Sequence, residues 1–318
     1  MQGSVNYDIY GRKGMKLGVS VIIRCMNEER FIGQTLDAVF NQAIEIPFEV
    51  IVVDSGSTDR TLDIVRKFNV RLCEIKRRQF TFGRALNYGI GLAEGEYVIN
   101  LSAHCIPVDS LWMANLLKPM MDDTSTAATF GKQEPIKGLN PFEEMALITD
   151  FSPDENGNIL PVFSNSNCAI RKSVWAENKF DEEASVAEDF IWARKLPKEY
   201  PIRYVPESSV YHSHPLNIRY WSKRYYGDGL VVFYMEYIYG IRFPWTPPAN
   251  KSAGWFLKNF LSTINSYWAE IYHINSFLIR RKYYYHVLIS PVFVFFRRYY
   301  YRKGLEDGRK RYAHARNE

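Results

Sequence analysis

Short apolar runs that alternate with helix-like stretches constrain this chain more than any other feature. Val19–Cys25 (VSVIIRC), Phe48–Val53 (FEVIVV) and Tyr97–Leu101 (YVINL) are too short for helices and rich in β-branched residues, and Val70–Ile75 reads as a further strand. Between them, Asn27–Gln42 places Phe31, Leu36, Val39 and Phe40 at helical spacing. Helices are also expected over Thr58–Phe68 and Phe82–Ala93, and another, capped by Asp109 or Ser110, through Met121. Strands separated by helices predict an α/β fold with a mostly parallel sheet covered on both faces. In such sheets ligands bind outside the carboxyl ends of the strands. Polar clusters stand at those ends: Arg24–Glu29, Asp54–Asp59 and Ser102–His104.

Composition excludes several alternatives. At 47% hydrophobic over 318 residues, the chain is too apolar for disorder and large enough for a sizeable core. It has no glycine period and no sustained heptad. Cys25, Cys73, Cys105 and Cys168 form no CxxC pair, which argues against a disulfide framework or zinc ribbon and fits a reducing compartment. The opening MQGSVNYDIYGRKGMK lacks the apolar stretch of a signal peptide. No run of about 18 apolar residues occurs, and Val287–Phe296 is too short to span a bilayer.

Charge is unevenly divided. Residues 216–318 carry 17 Lys+Arg against 6 Asp+Glu, or +11, which leaves −6 for residues 1–215. The sequence predicts an N-terminal extension (1–17), an α/β domain (18–240) and a C-terminal amphipathic helical region (241–318), with Pro-rich Phe243–Gly254 as a linker or rigid turn.

Asp54-Ser55-Gly56-Ser57-Thr58-Asp59 follows a strand and opens a helix. A carboxylate there can accept an N–H from a pyrimidine base or bond a ribose hydroxyl. The alternative is helix capping by Ser57 or Thr58, with Asp59 favouring the helix dipole. His104 stands at another strand end. In Tyr211-His212-Ser213-His214-Pro215 the two histidines would share one face if the segment were a strand. Glu188-Asp189 opens an amphipathic helix, as a catalytic carboxylate pair or as acids at a helix N-terminus.

VSVIIRCMNEERFI, FEVIVVDSGSTDRT and FGRALNYGIGLAEGEYVINLSAHCIP, in that order, resemble the family 2 glycosyltransferases, and within them the rhamnosyltransferase-like branch. The similarity runs over roughly residues 18 to 240. It implies a GT-A fold, a nucleotide-sugar donor and inversion at the anomeric carbon. By position it puts Arg24, Asn27 and Glu28 on the first donor-binding loop and Asp54 and Ser55 near the base or ribose. Arg84 and Asn87 would lie near the nucleotide, although Arg84 also reads as a solvated helix residue. Asp189 of Glu188-Asp189 would be the base that deprotonates the acceptor. In the segment Phe163–Lys172, Asn165 and Asn167 would bond acceptor hydroxyls, with polar turn residues as the other reading. Phe151–Leu160 reads as a loop near the acceptor.

The metal motif departs from the family. Asp-x-Asp carboxylates usually hold Mg²⁺ or Mn²⁺ after the fourth strand and neutralise the departing diphosphate. Here Leu101-Ser102-Ala103-His104-Cys105-Ile106-Pro107 has no acid, and His104 takes the acidic position. Imidazole suits Mn²⁺ or Zn²⁺ better than Mg²⁺. The resemblance implies that a late histidine completes the metal site, so His104 with His212 or His214 would make a two-histidine site for a divalent metal; alternatively His104 bonds the diphosphate or protonates the leaving group, or positive groups alone stabilise the diphosphate.

From Trp255 onward, aromatic and basic residues interleave. Interfacial helices on an anionic membrane surface fit this pattern, and helices packed on the domain or pairing in an oligomer are the alternative. No RNA-binding motif accompanies it, so nucleic acid is not an expected partner. The combined expectation is an inverting glycosyltransferase, cytoplasmic and peripheral at the inner face of the plasma membrane. It would move a sugar, rhamnose first, onto a lipid-linked glycan acceptor of a surface polysaccharide. Two other classes stay open: a nucleotidyltransferase, and a scaffold protein whose catalytic site has decayed.

Overall fold

The computed structural model describes residues 17–151, 162–241 and 253–312. The expected extension up to residue 16, the acceptor-side loop from residue 152 and the Pro-rich segment from 243 to 252 lie outside the described residues. The chain divides into two compact units, Met1–Ile136 with Leu147–Ser213, and Lys137–Ala146 with His214–Glu318.

The first unit is built on an eight-stranded sheet of order β3-β2-β1-β4-β7-β6-β8-β5. Its elements are β1 (Val19–Cys25), α1 (Ile32–Phe40), β2 (Phe48–Asp54), α2 (Thr61–Val65), β3 (Arg71–Glu74), α3 (Phe82–Leu92), β4 (Tyr97–Ser102), β5 (Ile106–Pro107), α4 (Trp112–Asp122) and β6 (Ala128–Glu134). After α5 (Pro141–Asp150) come β7 (Asn167–Arg171), α6 (Lys172–Glu177), α7 (Glu188–Lys195) and β8 (Ile202–Tyr211).

Strands β3, β2, β1 and β4 are parallel, and β7 pairs antiparallel with β4 and β6. Alternation along β1 explains its continuous apolar run. Val19, Val21 and Ile23 pack with α1 and α4 residues such as Leu36, Trp112 and Leu116. Ile22 faces the other way, into a second layer with Leu86, Ile90 and Trp192. Both faces are covered, so nearly every position is buried. Each fully buried Val or Ile contributes roughly 1.5–3 kcal/mol.

Helix α1 is shorter than expected because Asn27, at φ +58°, turns the chain away from helix before Ile32. Helix α2 is also short, since residues 54–60 form a loop that bonds back on itself. The second unit contains α8 (Ile218–Tyr239), α9 (Ala253–Arg280) and α10 (Tyr284–Tyr312). There Phe142, Ile271, Ile274, Leu278 and Val294 form a separate apolar core.

Candidate active site

The loops that leave β1 and β2 are joined. Asn27 donates its N–H to Ser57 Oγ (2.8 Å), and its side-chain Oδ1 accepts from the N–H of Thr58 (2.7 Å). Glu28 N–H donates to Thr61 Oγ1 (2.7 Å), and Glu29 N–H to Asp59 Oδ2 (3.1 Å). Asp54 is fully buried at the end of β2. Its Oδ1 accepts the N–H groups of Gly56 (2.8 Å) and Ser57 (2.9 Å), and its Oδ2 takes the Ser57 hydroxyl and the Cys25 thiol. Gly56, at φ +94°, allows the backbone to turn back over the carboxylate. The Asp54 oxygens therefore hold their own loop in shape. Ser55 Oγ beside them is buried and has no hydrogen-bond partner among the described residues.

Beyond β4, a side-chain chain crosses the sheet end. Glu28 Oε1 is 2.9 Å from His104 Nδ1, and His104 Nε2 is 3.2 Å from His212 Nε2. His212 Nδ1 bonds Gln133 Oε1. The two outer oxygens are acceptors, so they draw a proton to each Nδ1. The two Nε2 lone pairs then face each other unless a proton or a cation lies between them. His104, Cys105 and His212 bring their ligand atoms within 4.8 Å of one another. Burial pushes the Cys105 thiol well up.

His214 is placed differently. Strand β8 ends at Tyr211, so residues 212–214 do not alternate as a strand. In the second unit, both Glu143 oxygens bond His214, at its N–H (2.6 Å) and Nδ1 (2.7 Å). Its ring stacks on Tyr220 at 4.8 Å between centroids.

The carboxylate pair opens α7 and lies on the α3 side of the sheet. Ala187, immediately before it, sits at φ +62°, a strained conformation for a residue with a Cβ. Asn165 grips both acids. Its N–H donates to Asp189 Oδ2 (3.1 Å) and its Nδ2 to Glu188 Oε1 (3.3 Å). Asn100 Nδ2 donates in turn to Asn165 Oδ1 (3.1 Å). Glu188 is buried, and that burial, with the Asp189 charge beside it, raises its pKa to about 7 against the pull of Arg24. Arg24 stands with its guanidinium 4.8 Å over the Phe82 ring. Among the described residues the guanidinium has no hydrogen-bond or ion-pair partner, while the Arg24 carbonyl accepts from the Ala103 N–H.

Other expected site residues make framework bonds. Asn87 donates to Phe180 O (2.9 Å) and Glu182 Oε1 (3.0 Å), and accepts from Trp175 Nε1 and Phe180 N. Arg84 pairs with Glu182 (3.1 Å) and Glu183 (3.3 Å). Both thus anchor the segment leading to Glu188. A Cβ on Gly83 would lie 2.0 Å from Asp181 O, so this docking needs glycine. Asn167 is fully buried, bonded to Trp112 Nε1 and to the Lys132 and Ser208 carbonyls. It opens β7 within the sheet, and Asn165 holds the two acids. Gln133, Glu182 and Asn100 were not anticipated, because each acts through a partner distant in sequence.

The mixed sheet, the joined loops at its carboxyl ends and the flanking acid pair define a glycosyltransferase of GT-A fold. The family model described as Glycosyl transferase family 2 matches residues 20–177, and the chain belongs to that family. It is 30% identical over 226 residues to the O-antigen chain rhamnosyltransferase RfbN of Salmonella typhimurium, covering 67% of this chain and 71% of the relative. It is 31% identical over 204 residues to the O-antigen chain rhamnosyltransferase WbaN of Salmonella anatum, covering 60% of this chain and 64% of the relative. Among solved structures, the mannosyltransferase PcManGT from Pyrobaculum calidifontis, in complex with GDP-Man and Mn²⁺, superposes with a TM-score of 0.56 at 18% identity. That match covers 93% of this chain and 88% of that one.

Proposed function

We propose that the protein transfers a sugar, with inversion, from a nucleotide-diphosphate donor to a hydroxyl of a lipid-linked glycan. The setting would be surface-polysaccharide synthesis at the inner face of the plasma membrane. The O-antigen rhamnosyltransferase relatives support this setting and make rhamnose the first sugar to test. The observation that carries the chemistry is the pair of adjacent acids with different surroundings. Glu188 is buried, and that burial with Asp189 beside it pushes its carboxyl up to about 7. Asp189, less buried and fixed by the Asn165 N–H, is the carboxylate left to act as base.

Asp189 takes the acceptor hydroxyl proton, the acceptor oxygen bonds the donor's anomeric carbon, and the bond from that carbon to phosphate oxygen breaks. The nucleoside diphosphate leaves on the opposite face. Donor phosphates lie at the joined loops after β1 and β2, with Arg24 as the nearby positive group. A divalent cation fits His104 and His212, whose Nε2 atoms already face each other with both Nδ1 positions anchored. Once bound, it would supply positive charge to the departing diphosphate.

Thermal shift against UDP, dTDP, GDP and CMP sugars, with and without Mn²⁺ or Mg²⁺, tests the donor site. A ligand at a hundred times its Kd stabilises by about 2.7 kcal/mol. We expect one nucleotide class to shift the protein, and His104→Ala or His212→Ala to remove the metal-dependent part alone. Asp189→Asn should keep that shift and lose turnover by about 10²–10⁴-fold. No shift with any donor, or an active Asp189→Asn variant, would overturn the reading.

A further inference from the structure

We infer that one face of α10 is a docking surface for an anionic lipid bilayer; this rests on the membrane-surface acceptor proposed above and names the residues that reach it. Tyr284, Leu288, Val292, Phe295 and Tyr299 recur at intervals of four, four, three and four residues, which places them on a single helical stripe. The stripe is open to solvent, with Leu288 78%, Val292 69% and Phe295 63% exposed. The inward faces of the same helices are already satisfied, since Ile271, Ile274, Leu278 and Val294 pack together on the other side. A continuous row of large apolar side chains left in water is costly and marks a surface that is covered in use.

What covers it is decided by charge. The helix continues along the same face into Arg302, Lys303 and Lys310, all exposed, with Glu306 as the acid among them. A second copy laid parallel would oppose these cations to one another. Laid antiparallel, it would set them against Leu288 and Phe295. An anionic bilayer satisfies both parts, with the apolar turns at the acyl boundary, the tyrosine hydroxyls at headgroup depth and the basic turns on lipid phosphates. No described helix is long and apolar enough to cross a membrane, so α10 lies on the surface and does not span it.

The experiment is flotation of the full chain with phosphatidylglycerol–phosphatidylcholine vesicles, compared with phosphatidylcholine alone, at low and high salt. We expect binding to the anionic vesicles that weakens with salt. The double variant L288E/F295E should lose about tenfold or more in partitioning, since two inserted apolar groups become charged. R302E/K303E should bind more weakly and with less salt dependence. Both changes are at exposed positions, so melting temperature and the nucleotide-induced shift should stay as in the parent. If a variant folds poorly, an environment-sensitive fluorophore on L288C replaces it and should shift to the blue with anionic vesicles. Absence of flotation, full binding by L288E/F295E, or a dimer that this variant dissolves without any vesicle binding would each overturn the assignment. An unchanged nucleotide shift alongside lost flotation separates this failure from failure of the catalytic reading.

Discussion

Glu188 and Asp189 are neighbours in sequence but sit in opposite surroundings, and stability should register the difference. The Glu188 carboxyl titrates near 7 in the folded chain because it is buried beside another acid, whereas an unfolded glutamate titrates near about 4.3. Between those values the folded state holds more protons than the unfolded state. Stability from this group is therefore full below the unfolded value and declines as pH rises towards 7. Glu188→Gln keeps a neutral, similarly shaped side chain at every pH. By chemical denaturation it should be more stable than the parent at pH 8, by an amount on the order of 3 kcal/mol, and the gap should close by about pH 4.5. A parent with no such pH trend relative to Glu188→Gln would show that Glu188 is ionised in the fold. The acid pair and His104 could be read from sequence because each lies within a local pattern. The Glu28–His104–His212–Gln133 chain could not, since its members lie 76, 108 and 79 residues apart. The partners of Asn87 and Asn167 were hidden for the same reason: a polar residue next to a motif gives no sign of the distant carbonyls and indoles that it bonds.

At the scale of elements, α8 and α10 approach so closely that glycine is required. A Cβ on Gly304 would lie 2.1 Å from Tyr226 O, and one on Gly229 2.1 Å from Tyr301 O. Backbone atoms cannot step aside as a flexible side-chain end can, so Gly304→Ala must separate the helices. The expected cost is about 1–3 kcal/mol, as for other overpacked contacts. Gly91, in α3, supplies the control because an added Cβ there meets nothing within 4 Å. Gly91→Ala should stabilise by roughly 0.5–1 kcal/mol through helix propensity alone. Chemical denaturation of both variants checks the pair, and a neutral Gly304→Ala would mean that the crossing can relax. Strands β1, β2 and β4 were legible because burial on both faces leaves an unbroken apolar run. Strand β7 was not, because Asn167 opens it and its centre, Cys168–Ile170, is only three residues long. The segment therefore resembles a polar turn, although it lies between β4 and β6.

Over the whole molecule, the two kinds of ligand should leave separate signatures because charge and chemistry are separated along the chain. Residues 1–215 carry −6 and hold the joined loops, the imidazole pair and the acid pair, while residues 216–318 carry +11 and hold the exposed stripe of α10. Hydrogen exchange reads both at once, since amides gain protection where a ligand orders or covers them. A donor nucleotide should slow exchange at residues 24–29, 54–61 and 102–105 and leave 284–303 unchanged. Anionic vesicles should do the reverse, and added salt should release their effect first, because headgroup attraction is screened over about 10 Å at 0.1 M ionic strength. Nucleotide protection appearing at 284–303 in the absence of lipid would contradict the separation and make α10 part of the donor's own binding response.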